Sequence, residues 1–284
     1  MLPEKLISRI IGKSIQSIKE VSGGSINQSY HVKTSDNHQL FCKINSSSRF
    51  PGMFIKEKNG LALIGSSGAI RVPVCMFTEI VNGQQVLILE WIEQGQKTSS
   101  FWKKFGQQLA ALHTVKGDAF GFQEDNFMGA LSQYNSFLPE WNEFFICRRL
   151  EPQVKIACQN GYLTPQQIRK FEGFYQQIPF LFSPENPVMV HGDLWSGNFM
   201  CNAQNEPVLI DPAIYYGNRH VDLAMSTLFG GFDSIFYESY HYYNPLPVDH
   251  VQQWRICNLY PLLVHLNLFG KSYLSEIIGI IDAY

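Results

Sequence analysis

The sequence predicts an α+β protein of two lobes, a small strand-rich lobe over residues 1–92 and a larger, mainly helical lobe over 93–284. Three observations predict it. β-Branched and aromatic runs gather before residue 92. Apolar residues at helical spacing dominate after residue 98. The chain has 284 residues, about two domains at roughly 150 residues each. The first element is a helix, because Leu2, Leu6, Ile7, Ile10 and Ile11 recur on one face. Residues 31–34 and 39–45 read as strands, joined by the turn Asp36-Asn37-His38. Phe54, Leu61 and Ile64 mark a helix that Gly65 can stop, and residues 86–92 form the strand that ends the lobe.

The larger lobe opens with N-cap candidates Thr98, Ser99 and Ser100, followed by Phe101, Phe105, Leu109 and Leu112 on one helix face. Residues 141–156 read as a second amphipathic helix. Thr164-Pro165 starts a third, with proline where a missing N–H does no harm. Short β-like pieces at 188–190 and 207–210 bracket a loop rich in chemistry, and the chain from Asp222 onward is mostly helical.

Composition excludes several classes. Hydrophobic residues make up 45% and charged residues only 16%, so there is ample surface to bury and the chain is not disordered. A formal net charge of −2 lacks the basic excess of a nucleic-acid binder. Lys5 and Arg9 interrupt the first apolar stretch, so it is no signal peptide, and no run reaches the ~18–20 residues of a membrane span. The six cysteines come no closer than Cys147 and Cys158 and form neither a zinc pattern nor a disulfide framework. A soluble, cytoplasmic monomer with no nucleic-acid or membrane partner is expected.

The loop His191-Gly192-Asp193-Leu194-Trp195-Ser196-Gly197-Asn198 fits H-R-D-L-x-x-x-N of the protein-kinase catalytic loop, with glycine in place of arginine. Such a loop needs one carboxylate to take the proton of an attacking hydroxyl, which is Asp193, and an amide oxygen that reaches a metal, which is Asn198. Residues 208–210 deliver Asp211 at the end of an apolar strand, where a carboxylate needs a cation or hydrogen-bond donors; a magnesium ion would supply the first. In the small lobe, Lys43 lies among apolar neighbours and wants a partner; Glu57, fourteen residues later on the expected helix, is the candidate for a phosphate-positioning ion pair. Gly23, Gly24 and Ser25 can bring backbone N–H groups to phosphates. Glu90, Trp91 and Ile92 join the lobes and can offer backbone groups to an adenine edge.

These motifs, with Asp211-Pro212-Ala213, Tyr216-Gly217, Asp222-Leu223-Ala224 and Leu228-Phe229-Gly230-Gly231-Phe232, resemble the fructosamine kinase (ketosamine-3-kinase) family, related to aminoglycoside and choline kinases. Trp141, Phe144-Phe145 and Arg149-Leu150 resemble its W-x-x-F-F-x-x-x-R-L signature, and Gly106, Leu109, Leu112 and His113 its G-x-x-L-A-x-L-H helix. The resemblance implies a protein-kinase-like fold. It implies ATP- and Mg²⁺-dependent phosphorylation of the sugar O3 of ketosamines, a deglycation repair. Asp193 would be the base, Asn198 and Asp211 the metal ligands, and Trp195 and His191 substrate contacts. The alternatives are a choline- or aminoglycoside-type kinase and a catalytically silent nucleotide-binding module. Two positions depart from the family: Gly24-Ser25-Ile26 where some members carry a cysteine, and His220 where a glutamate is usual.

Overall fold

Helix α1 (Pro3–Ile11) opens the structure, a computed structural model that describes residues 2–21 and 26–284. Gly12, at φ 67°, ends the helix by returning its N–H to Ser8. A five-stranded antiparallel sheet follows, built from β1 (Ile15–Glu20), β2 (Gln28–Thr34), β3 (Gln39–Ser46), β4 (Cys75–Val81) and β5 (Gln84–Glu90) in the order β1-β2-β3-β5-β4. Between β3 and β4 the chain crosses one face of the sheet as α2 (Met53–Ser66).

Alternation along the central strands serves both faces. Val32, Cys42, Ile44, Val86 and Ile88 pack with Leu6 and Ile7 of α1. Leu87 and Leu89 pack with Phe54 and Leu61 of α2. β5 is therefore buried on both sides and reads as a continuous apolar run. Strands β1 and β4 escaped the sequence reading. Both are edge strands whose register shifts, between Ile15 and Ser17 and between Cys75 and Phe77, so neither shows a clean period of two. The turn that makes β4 a strand was legible: Asn82 (φ 51°) and Gly83 (φ 77°) form a two-residue hairpin.

The large lobe begins with α3 (Ser99–Leu112), capped by Thr98. A small hairpin, β6 (Asn126–Met128) and β7 (Leu131–Gln133), precedes α4 (Trp141–Phe144) and α5 (Glu151–Gln159). The expected single helix over 141–156 is interrupted by a π-helical turn at Phe145–Leu150. Pro152 explains it, because proline cannot donate to the carbonyl one turn back and its ring crowds that carbonyl. Next come α6 (Pro165–Gln177), opened by a Thr164–Gln167 capping box, and the short strands β8 (Val188–Val190), β9 (Phe199–Cys201), β10 (Pro207–Leu209) and β11 (Tyr215–Gly217). β9 pairs with β10 and β8 with β11. Helices α7 (His220–Leu228), α8 (Ser234–Tyr243), α9 (His250–Cys257), α10 (Leu259–Phe269) and α11 (Leu274–Ile281) complete the lobe. α8 lies so close to α3 that a Cβ on Gly106 would stand 2.3 Å from the Phe236 carbonyl. Among the described residues no helix is long and apolar enough to cross a membrane.

Arg149, in the π turn, is fully buried. Its guanidinium lies 4.0 Å from the centroid of Tyr215 and 4.6 Å from that of Phe144. It donates to the Tyr134 carbonyl at 2.5 Å and to Asn135 Oδ1 at 2.7 Å. Aromatic faces and carbonyls replace the carboxylate that a buried cation usually has. Arg149→Met should lower stability by about 3 kcal/mol, since it takes the donor from buried Asn135 Oδ1 and from the part-buried Tyr134 carbonyl. A lower urea midpoint at unchanged slope is the expected result, and an unmoved midpoint would contradict it.

Candidate active site

Lys43 faces the α2 side of the sheet, and its ammonium is buried. It donates to Glu57 Oε1 of α2 at 2.8 Å and to Asp211 Oδ1 of the large lobe. Burial works against the charge on Lys43, but the two carboxylates outweigh it and hold its pKa above the ordinary lysine value. Burial also pushes Glu57 upward, with Lys43 opposing. The sequence-predicted pair therefore forms, and Asp211 joins it as a third member.

The catalytic loop hangs from Asp222 in the first turn of α7. That carboxylate is fully buried and accepts the backbone N–H groups of His191 at 2.7 Å and Gly192 at 2.8 Å. His113 lies 3.2 Å from the same carboxylate and 2.8 Å from the Tyr240 hydroxyl, the satisfied core histidine that its helix position suggests. Burial alone would raise the pKa of Asp222, yet the His113 bond and the backbone N–H of Gly192 hold it below the ordinary value. Gly192 is at φ 83°, and a Cβ there would stand 2.1 Å from the Ala213 carbonyl, so only glycine fits.

His191 is not placed to meet substrate. It has no exposed surface, and burial lowers its pKa so that the ring is neutral. Nε2–H donates to the Ile210 carbonyl at 2.8 Å, which leaves Nδ1 to accept the Asp193 N–H at 3.3 Å. The ring braces the loop from behind. Asn198 Nδ2 donates to the Asp193 carbonyl at 2.8 Å and to its carboxylate at 2.9 Å. Asp193 keeps an open edge on the cleft, while surrounding protein strips its carboxyl of water and lifts its pKa to about 7, helped by Asp211 and Asp222 and opposed by Asn198.

Asp211 stands at φ 55°, a left-handed conformation that aspartate tolerates better than most side chains. The following segment is gripped by a buried polar network. Asn126 donates to the Ile214 carbonyl at 2.8 Å, Gln133 to the Ala213 carbonyl at 2.9 Å, and Tyr260 to Gln133 at 2.9 Å. Gly60 of α2 presses on the same segment: a Cβ there would be 3.1 Å from Ile214 and 3.2 Å from Pro212. Asn59 Nδ2 ties α2 to Glu124 of the large lobe at 2.8 Å.

Three cavities meet here. One, of about 280 Å³, is lined by Glu90, Trp91 and Ile92 and reaches Lys43, Asn198 and Asp211. A second, of about 200 Å³, holds Lys43, Glu57, Asp193, Asn198 and Asp211 together. The third, of about 360 Å³, runs from Asp193 past Trp195 to Phe50, His265 and Phe269. Trp195 borders all three and is 37% exposed, so it is a cleft residue and not a core tryptophan. Its ring covers Gly197, where a Cβ would approach to 2.4 Å. Trp91 stacks on His31 at 3.8 Å. Gly23, Gly24 and Ser25 lie outside the described residues.

The sequence profile of the fructosamine kinase family matches residues 2–284. The chain belongs to the fructosamine kinase family. A Synechocystis protein named "Probable ketoamine kinase" is 39% identical over 92% of this chain and 88% of its own length. The chloroplastic protein-ribulosamine 3-kinase of Arabidopsis thaliana is 37% identical over 96% of this chain and 84% of its own. A Thermobifida fusca crystal structure, given as a candidate fructosamine-3-kinase, superposes with a TM-score of 0.89 at 30% identity, covering 99% and 98% of the two chains. An aminoglycoside phosphotransferase bound to gentamicin shares the kinase-like fold at a TM-score of 0.61 and 16% identity, with 98% and 93% covered.

Against this fructosamine kinase frame two residues gain meaning. His220, where the family usually has glutamate, is buried, accepts the Trp254 indole N–H at 3.0 Å and lies 3.7 Å from Glu185, which Arg219 pairs at 2.9 Å. Asp222 was visible in the sequence as part of a motif but not as a loop anchor. The available signal was an acid set among Val221, Leu223 and Ala224, where burial demands donors. Asp222→Asn replaces one of the two acceptor oxygens by a donor facing a backbone N–H. It should lower stability by about 1–3 kcal/mol and reduce turnover more than nucleotide binding. Wild-type stability and turnover in denaturation and kinetic assays would contradict the anchoring role.

Proposed function

We propose that this chain transfers the terminal phosphoryl of ATP to the sugar O3 of ketosamines, the adducts that sugars leave on amines. The two lobes divide at residue 92, with the nucleotide between them. One observation carries the proposal: Lys43, Glu57, Asp211, Asn198 and Asp193 converge on one cleft from both lobes. Full-length similarity to a protein-ribulosamine 3-kinase and to ketoamine kinases supports the substrate class.

In this reading Glu90 to Ile92 receive the adenine, and Lys43, aimed by Glu57, holds the α- and β-phosphates. Asp193 orients the O3 hydroxyl and takes its proton as O3 attacks the γ-phosphorus. The bond to the β–γ bridging oxygen breaks and ADP leaves. The raised pKa of Asp193 suits a base working near neutrality. Trp195 offers an apolar face to the sugar or the amine's alkyl arm.

The donor set fits magnesium. Asn198 has its Nδ2 fixed on Asp193, so its amide oxygen is turned away from that partner, and Asp211 offers a partly exposed carboxylate. Among the described residues no three His, Cys, Asp or Glu side chains cluster as a metal cage. Magnesium is commonly held by one or two protein oxygens plus phosphate and water, so this is no obstacle. Bound there, the ion would neutralise phosphate charge; Asn198 and Asp211 would hold it.

Asp193→Asn should lower kcat by at least about 100-fold, the low end of what a positioned base contributes, with ATP affinity within a few-fold of wild type. Near-wild-type turnover would remove Asp193 as the base. An ADP-release assay on fructoselysine and ribuloselysine, with NMR location of the phosphate, tests the substrate. Turnover of choline or an aminoglycoside, with none on ketosamines, would overturn it.

A further inference from the structure

The phosphate end of the cleft holds a second cation whose placement the fold does not require. Lys56 sits in the first turn of α2; that turn holds no acidic residue, and the helix N-cap, Gly52, has no side chain to offer. The partial positive charge of a helix N-terminus disfavours an ammonium there. Its companion Lys43 is committed to two carboxylates. Among the described residues Lys56 makes no such pair; its ammonium rests 5.3 Å from the centroid of Phe127, on β6 of the opposite lobe. An aromatic face steers a cation but does not neutralise it.

The cavities give Lys56 an address. Lys43, Asn198 and Asp211 border both the adenine-side cavity and the one that holds Glu57 and Asp193. Lys56 and Asp193 border this second cavity and not the adenine side. The third cavity shares Asp193 but neither lysine. A triphosphate laid from Glu90 toward Asp193 therefore passes Lys43 with its inner phosphates and brings its terminal phosphoryl to the stretch that Lys56 faces. The acceptor enters from the far side.

We propose that Lys56 contacts the terminal phosphoryl of the bound nucleoside triphosphate and stabilises its oxygens as O3 attacks. The proposal rests on the kinase reading given above. It adds a cation supplied by α2 that discriminates triphosphate from diphosphate, because ADP does not reach this stretch.

The test uses the full chain as wild type, Lys56→Gln, Lys56→Arg and Phe127→Leu. Affinities for ADP and for a non-hydrolysable ATP analogue are measured by calorimetry with magnesium present, alongside kcat and melting temperature. Lys56→Gln should leave ADP affinity within about twofold and weaken the ATP analogue and kcat each about tenfold or more, as expected for loss of one charged hydrogen bond. Lys56→Arg should restore most of both. The proposal is overturned if Lys56→Gln weakens ATP analogue and ADP equally, or weakens neither. It is also overturned if Phe127→Leu, which keeps the ammonium, gives the same triphosphate-selective loss, since the role would then be an interlobe contact. The ratio of the two affinities needs no sugar substrate. A wild type that binds triphosphate selectively but phosphorylates no ketosamine would sink the substrate assignment and leave Lys56 standing.

Discussion

The ammonium of Lys43 lies between two carboxylates that reach it from different parts of the chain, Glu57 on α2 and Asp211 after β10. A buried cation without partners would be expelled or neutralised. The sheet, the crossing helix and the strand that delivers Asp211 must therefore arrive together around this charge. Alternation along β3 turns Lys43 to the face that α2 covers, opposite the side that Cys42 and Ile44 share with α1. A one-residue slip of β3 would send the ammonium to the wrong side.

The second half of the site is organised by backbone more than by side chains. Asp222 accepts two consecutive N–H groups and so sets the path of the loop on which Asp193 is carried. His191 and Gly192 are there for what they let the backbone do. One fills the space behind the loop, and the other permits a turn that a Cβ would block. Buried polar networks of this kind hold geometry well only when every member is satisfied. The Asn126, Gln133 and Tyr260 network behind Ala213 and Ile214 follows the same rule.

Much of this was legible before any coordinates. The central strands and most helices followed from burial on defined faces, and Asp193, Asn198, Asp211, Lys43 and Glu57 followed from what phosphoryl transfer asks of side chains. The edge strands were lost because a bulge erases alternation, and the π turn because Pro152 acts through a carbonyl one turn earlier. His191 was read as a substrate contact because a motif gives neighbours in sequence but not the direction of a ring. Asp222 was missed as an anchor because its partners are backbone N–H groups some thirty residues away, which no spacing rule reveals.

Gly60 fixes how closely α2 can approach the segment that follows Asp211. The space a side chain would take is filled by Pro212 and Ile214 of the large lobe, while Asn59 on the same helix reaches Glu124 across the cleft and Glu57 holds Lys43 on β3. Swinging α2 outward would unlock all of these contacts at once. Close packing at one glycine thus couples the position of α2 to the segment that carries Asp211.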